Sequence, residues 1–381
     1  MNTFLKYTFV FCLFLFGFTS CENKNQSKEK QQIISENKIT HAKNFELYEY
    51  ADFKILKINK PWQQANESLV YVLAKQQNLV PDSLKNKNFI QIPVQKVIAT
   101  STTHIPSFEM LNQSNSLIGF PNLNYISSAT IRENIKQNRV TEVGQNESLN
   151  TEVIIDLNPD LVVGYGMESS NKTLESLKQM GISVIYNADW TEQTPLGKAE
   201  WIKFFGALFD QNDLANTKFL EIETEYNTLK KLAKTASHSP KVFSGGLYQD
   251  VWYAPKGNSW GAIFFEDANA NYIWKNHKGE GSIAISIEQA LHDAQNIPSW
   301  IAPSSAESIQ DLKNNSKHNE QFDAFKTKQI YSFAMKKGET GGVIYYEVAP
   351  NRPDLVLKDL IKILHPELLP NYNLYFYEKL K

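Results

Sequence analysis

A chain of 381 residues can hold one large domain or two of ordinary size, each with a substantial core. Its formal charge of −2, with lysines and acids interspersed rather than blocked, carries no electrostatic footprint for nucleic acid. That charge pattern makes small or neutral ligands the expected partners, and beyond the amino terminus no apolar run approaches the roughly 20 residues that a membrane-spanning helix requires.

Residues 1–20 carry one charge, Lys6, then the apolar run FVFCLFLFGF and the small residues Thr19 and Ser20 before Cys21, the layout of a removable secretory signal. Cys12 would leave with that signal. Residues 22–43 (ENKNQSKEKQQIISENKITHAK) are polar, lysine-rich and without aromatics, the composition of a solvated tether. Structure is expected from Phe45.

Residues 44–62 and 67–76 (NFELYEYADFKILKINKPW and ESLVYVLAKQ) show short apolar–polar alternations, which predict two strands joined through 61–67 as an edge hairpin. In IPVQKVIATSTTHIPSFEML (92–111) a strand-like VIA gives way to small and polar residues and then a helix, so its loop lies at a strand's carboxyl end. NPDLVVGYGMESSNKTLESLKQMGISVIY (158–186) reads as a βαβ unit: Leu161 to Val163 as a buried strand, Ser169 to Asn171 as caps, a helix through Leu174 and Leu177, Gly181 as its stop, then a strand.

Ala215, Phe219, Ile222, Tyr226, Leu229 and Ala233 recur at helical steps and predict one apolar stripe on a long helix over 213–234, ~30 Å from end to end if it runs ~20 residues. After Pro240 the pattern restarts, with KVFSGGLY as strand and glycine turn, ISIEQALHDA as helix, IPSWIA as strand and AESIQDLKNN as helix. Aligning Pro159 with Pro298 brings Glu168 opposite Glu307, a weak internal echo. Near the end, Pro353 suits the first turn of a helix, Asp354 its positive end, and Leu357, Leu360, Ile361 and Leu364 one face.

In this order LNPDLVVG, GISVIY, DANANYIW (267–274), SIEQAL (286–291) and NRPDLVLKDLIKILHPEL (351–368) resemble the periplasmic binding proteins of ABC importers for cobalamin, ferric siderophores and haem, over residues 94–380. The resemblance implies an α/β class III binding-protein fold, two Rossmann-like lobes (45–195 and 237–381) joined by a single long helix within 196–236, here with the amino-terminal hairpin added. It also implies that Glu168 and Glu307 dock one per lobe with arginines of a membrane permease, although each also reads as an ordinary solvated glutamate near a helix start. Gly17 to Cys21 resemble a bacterial lipoprotein box, with Phe18 departing from the usual Leu, Val or Ile; that implies lipidation of Cys21, a tether over 21–44 and anchorage on the periplasmic side of the membrane in the cell envelope. The mature chain would then hold no free thiol and no disulfide.

A cleft for a large chelate needs flat apolar surface and a few fixed polar groups. Thr102, Thr103 and His104 after the VIA strand, and Tyr165 and Met167 after LVV, are the candidates in the first lobe. In the second, GGLYQDVWYAPKGNSWGAIF (245–264) brings Trp252, Tyr253 and Trp260 among four glycines, and Tyr346 and Arg352 precede the last helix. Core packing for the tryptophans, ordinary hydrogen bonding for His104 and a structural ion pair for Arg352 are the competing readings.

The chain thus reads as a monomeric solute-binding lipoprotein, without catalysis or a cofactor of its own, that delivers a metal chelate to an ABC importer permease. Binding of a bare ion such as zinc or manganese is the alternative, weakened because the histidines lack ligand spacing. A secreted hydrolase ranks lower still, since GxxxxGK[ST] and HExxH are both missing from the sequence.

Overall fold

The computed structural model describes residues 36–145, 148–167 and 169–381. The signal, Cys21, most of the tether and Glu168 lie outside the described residues.

The amino-terminal part is larger than the expected hairpin. NFELYEYADFKILKINK folds back on itself, because Tyr50–Phe53 forms a tight turn in which the Tyr50 N–H donates to the Phe53 carbonyl. Strands β1 (Phe45–Glu49), β2 (Phe53–Ile58), β3 (Leu69–Ala74) and β4 (Asn88–Gln91) make one sheet in that order, antiparallel except for β3 with β4. Phe45, Leu47, Leu56, Ile58, Tyr71 and Leu73 alternate into the core of the lobe that follows, so the sheet belongs to that core instead of lying at an edge.

That lobe is built on β5 (Val97–Ala99), β6 (Leu117–Phe120) and β7 (Thr141–Glu142), a small hairpin of β8 (Gly144–Gln145) and β9 (Ser148–Leu149), then β10 (Leu161–Gly164) and β11 (Val184–Tyr186). The five-stranded sheet runs β11-β10-β5-β6-β7, parallel throughout. Strands β5, β10 and β11 are buried on both faces, which is why LVVG reads as a continuous apolar run.

The second lobe restarts with β12 (Lys241–Ser244), followed by β13 (Gly246–Tyr248), β14 (Val251–Pro255), β15 (Asn271–Tyr272), β16 (Ser282–Ser286), β17 (Ser299–Ile301), β18 (Ile330–Ser332) and β19 (Glu378–Lys379). Its main sheet runs β15-β12-β17-β18-β19, parallel except for β19, while β13, β14 and β16 form a small antiparallel sheet. Both main sheets have doubly wound strand orders, with switch points between β5 and β10 and between β12 and β17. The aligned prolines 159 and 298 precede β10 and β17, the strands beside the two first strands, which accounts for the echo in the sequence.

The helix Asn212–Ala233 buries the six residues of the predicted stripe. Ala215, Phe219 and Ile222 belong to the first core, and Tyr226, Leu229 and Ala233 to the second. Below this helix two buried carboxylates bind the start of the fold to the first lobe. Glu200, fully buried, accepts the amides of Thr40, His41 and Ala42 and the ammonium of Lys203 at 2.8 Å. Burial alone pushes its pKa up; Lys203 and those amides outweigh it and hold the carboxylate below its ordinary range. Glu192 likewise takes the amides of Lys43 and Asn44.

Glu200→Ala strands Lys203 and three backbone donors. The expected loss is about 3–5 kcal/mol, read as a fall in the urea midpoint.

Candidate ligand-binding cleft

Parallel strands send all their carboxyl ends to one edge of a sheet, and the two lobes meet along those edges. In the first lobe Thr100, Ser101 and Thr102 follow β5, Tyr165 follows β10, and Phe120 and Tyr125 lie at and after the end of β6; they line a cavity of about 220 Å³ closed by Gly342, Val343 and Tyr346 of the second lobe. In the second lobe Ser244 and Gly245 at and after the end of β12, Ala302 and Ser304 after β17 and Phe333 after β18 line a cavity of about 260 Å³, walled by Trp260, Tyr345 and Tyr377. Tyr346 lines both, so each switch point opens onto one half of a shared cleft.

The aromatic wall is ordered by packing. Phe333 stacks on Tyr345 with centroids 4.1 Å apart, Tyr346 meets Phe333 edge-on at 5.5 Å, and Trp260 packs edge-on against Phe264. Lys198 Nζ lies 5.4 Å from the Trp260 ring centroid and donates to the carbonyls of Asp189 and Trp190.

Thr102, Tyr165, Trp260 and Tyr346 come together here, as the sequence pattern anticipates, and the remaining candidates do not. Trp252 is fully buried among Phe243, Trp274, Trp300 and Phe322, and its indole N–H donates to the Ser244 carbonyl. It therefore supports the cleft loop from behind, with no face left for a ligand. Tyr253, its neighbour on β14, points to the opposite face and lines neither cavity.

His104 is a second correction. It begins a helix whose residues turn inward, its ring packs against Phe205 at 5.5 Å, and it is 1% exposed, with no well-formed hydrogen bond to either nitrogen among the described residues. Burial lowers its pKa, with Asp189 and Asn187 acting the other way, so the core position disfavours the charged ring. Thr103 donates its hydroxyl to Asp189 at 2.8 Å and lends its carbonyl to Asn351 of the second lobe. Met167 is exposed outside both cavities.

Arg352 forms a two-point ion pair with Asp354, at 2.9 and 2.7 Å, in a groove beside the long helix. Two residues apart at a helix start, these side chains satisfy each other more readily than either reaches the cleft. Glu307 is half-exposed and already ion-paired, with Lys337 at 2.5 Å. Among the described residues no group of three or more His, Cys, Asp or Glu gathers to hold a metal. Phe120, Ser304, Phe333 and Tyr377 were not singled out by sequence; strand LIGF carried the one usable signal, a ring at a strand end.

The lobes also touch directly beside the cleft. A Cβ on Gly342 would lie 2.4 Å from the Tyr125 carbonyl, so the close approach demands glycine. Glu347, 1% exposed, accepts the Ser127 N–H across the interface at 2.6 Å, while its other oxygen has no partner among the described residues. Burial pushes its pKa up to about 7, helped by the Glu109 carboxylate and opposed by the Ser127 and Ser128 amides.

The sequence model of the periplasmic binding protein family matches residues 97–334, and the chain belongs to that family. It is a substrate-binding protein rather than an enzyme. An uncharacterized lipoprotein of Methanocaldococcus jannaschii is 29% identical over 81% of this chain and 75% of its own length. Among solved structures, a possible iron-binding periplasmic solute-binding protein of Staphylococcus epidermidis superposes with a TM-score of 0.55 at 18% identity, over 72% of this chain and 99% of its own. A periplasmic heme binding protein of Pseudomonas aeruginosa gives 0.54 at 17% identity, over 72% of this chain and 93% of its own. These likenesses establish a shared fold.

Glu347 makes stability pH-dependent in a defined direction. Unfolded, the carboxyl ionises near 4.5; folded, it stays protonated to about 7, so its stabilising contribution is complete below pH 4.5 and is lost as pH rises through 7. Relative to Glu347→Gln, the wild type should lose about 3 kcal/mol over that window, measured by urea melts at pH 4.5 and pH 8.

Proposed function

We propose that this chain is a lipid-anchored solute-binding protein that captures a metal chelate between its lobes and delivers it to an ABC importer permease. The observation that carries the reading is the cleft itself, in which strand-end loops of both lobes meet around Tyr346 and three tyrosines, Tyr125, Tyr165 and Tyr346, surround one cavity. Aromatic faces suit the organic shell of a ferric siderophore, cobalamin or haem, and the Thr100–Thr102 hydroxyls suit its polar rim. The names of the relatives, iron-binding and heme binding among the structures and lipoprotein among the sequences, favour the same reading.

In this reading residues 45–195 and 237–381 act as the two lobes with 196–236 between them, and the protein works as a monomer. Cys21 carries the lipid, 21–44 reaches from the periplasmic face of the membrane, and Glu168 and Glu307 meet the permease. Glu307 would exchange Lys337 for a permease arginine, a swap of one exposed ion pair for another that costs little.

Native mass spectrometry of residues 28–381 with haem, cobalamin and a panel of ferric siderophores should show a one-to-one complex with one of them, and Tyr346→Ala should weaken it about tenfold or more. A shift with free zinc and with none of the chelates would reverse the reading. In cells, Glu168→Arg with Glu307→Arg should stop uptake at unchanged ligand affinity, and Cys21→Ser should lose incorporation of a labelled fatty acid; affinity lost in the double variant would move those glutamates into the cleft.

A further inference from the structure

A third cavity, of about 450 Å³, lies where the amino-terminal sheet meets the loop after β11. Its volume falls within the range of small-molecule sites, about 300–1,000 Å³. The turns of the amino-terminal sheet supply Asn44, Asn59 and Trp62, the loop supplies Trp190 and Gln193, and Glu280 comes from the second lobe. Residues 43–63 precede the stretch that matches the family, so this wall is an addition to the shared fold.

Two connections tie the cavity to the cleft. The Gln63 N–H donates to the Met167 carbonyl at 2.9 Å, and Gly166 packs so closely on Trp62 that a Cβ there would lie 3.2 Å from the indole; the next residue back, Tyr165, lines the cleft. On the other side Lys198 Nζ holds the Trp190 carbonyl at 3.2 Å and faces the ring of Trp260, which also lines the cleft.

The lining selects its ligand chemistry. Asn44 Nδ2 donates to Thr191 Oγ1, Asn59 Nδ2 to the Lys43 carbonyl and Gln193 Nε2 to the Thr191 carbonyl, so each amide turns its donor inward on the protein and has a carbonyl oxygen left to offer. Glu192 is committed to the amides of Lys43 and Asn44 and to the Trp201 indole. Lys43 and Lys60 are offset by Glu192 and Glu280 in the same lining, which removes any net formal charge that would attract an anion. Acceptor oxygens between two indoles fit a neutral group that donates hydrogen bonds.

From this geometry we propose that the cavity is a subsite of the interlobe cleft which takes a neutral amide- or hydroxyl-bearing arm of the bound chelate, and that the amino-terminal sheet contributes to specificity by building it. The proposal rests on the chelate-binding reading above.

The test is the affinity of the soluble chain, by tryptophan quenching, for cobalamin and a ferric trihydroxamate, which carry peripheral amides, and for haem, whose polar arms are carboxylates. Wild type should bind an amide-bearing chelate, and Trp62→Ala and Gln193→Ala should each weaken it about tenfold. Trp62 also packs on Tyr186, so thermal melts accompany its variant, and Gln193→Ala decides the matter if Trp62→Ala fails to fold. Wild-type affinity in a folded Gln193→Ala, or binding of haem alone, overturns the subsite and leaves the chelate reading standing. Failure of wild type to bind any of the three overturns both.

Discussion

In a parallel sheet the backbone direction repeats, so every strand delivers its carboxyl end, and the loop that follows, to the same edge. Here two such sheets present those edges to each other, and the rings and hydroxyls that line the cleft follow from that placement. The loops after β5 and β10 flank one switch point, and those after β12 and β17 flank the other. The helix Asn212–Ala233 relates the two, because Phe219 is part of one core and Tyr226, two turns on, part of the other. Sliding either lobe along it would expose side chains worth about 1.5–3 kcal/mol apiece.

Buried carboxylates recur as organisers of irregular backbone. Glu200 and Glu192 gather the amides of residues 40–44; Asp359 gathers those of Tyr375, Phe376 and Tyr377 near the other end of the chain. Each supplies acceptors that a loop without ladder partners would otherwise lack. The same device at Glu347 spans the lobes, but there the Ser127 and Ser128 amides do not outweigh burial and the nearby Glu109 carboxylate, and its pKa is pushed up to about 7.

The elements legible in the sequence are those whose period is set by their own geometry. Six residues at helical spacing marked the buried face of the long helix, and NPDLVVG to GISVIY marked a βαβ unit with Asn171 as its cap and Gly181, at φ +86°, as its stop. Near the amino terminus the alternation was visible but the turn at 50–53 was not, because it uses no glycine or proline, and four strands were read as two. Loop position predicted Thr102, Tyr165, Trp260 and Tyr346 on the cleft. It failed for Trp252 and His104, since a residue's place after a strand says nothing about which way its side chain turns.

By itself, then, the sequence determined the α/β class, the buried face of the long helix and the loops at strand ends, because hydrophobic period and capping are local properties of consecutive residues. Only the tertiary structure decided which rings face the cleft, that Arg352 closes on Asp354, and that the amino-terminal sheet walls a cavity beside the cleft. Those outcomes depend on which groups from distant segments arrive first at a buried donor or an apolar face, and competition of that kind leaves no period to read.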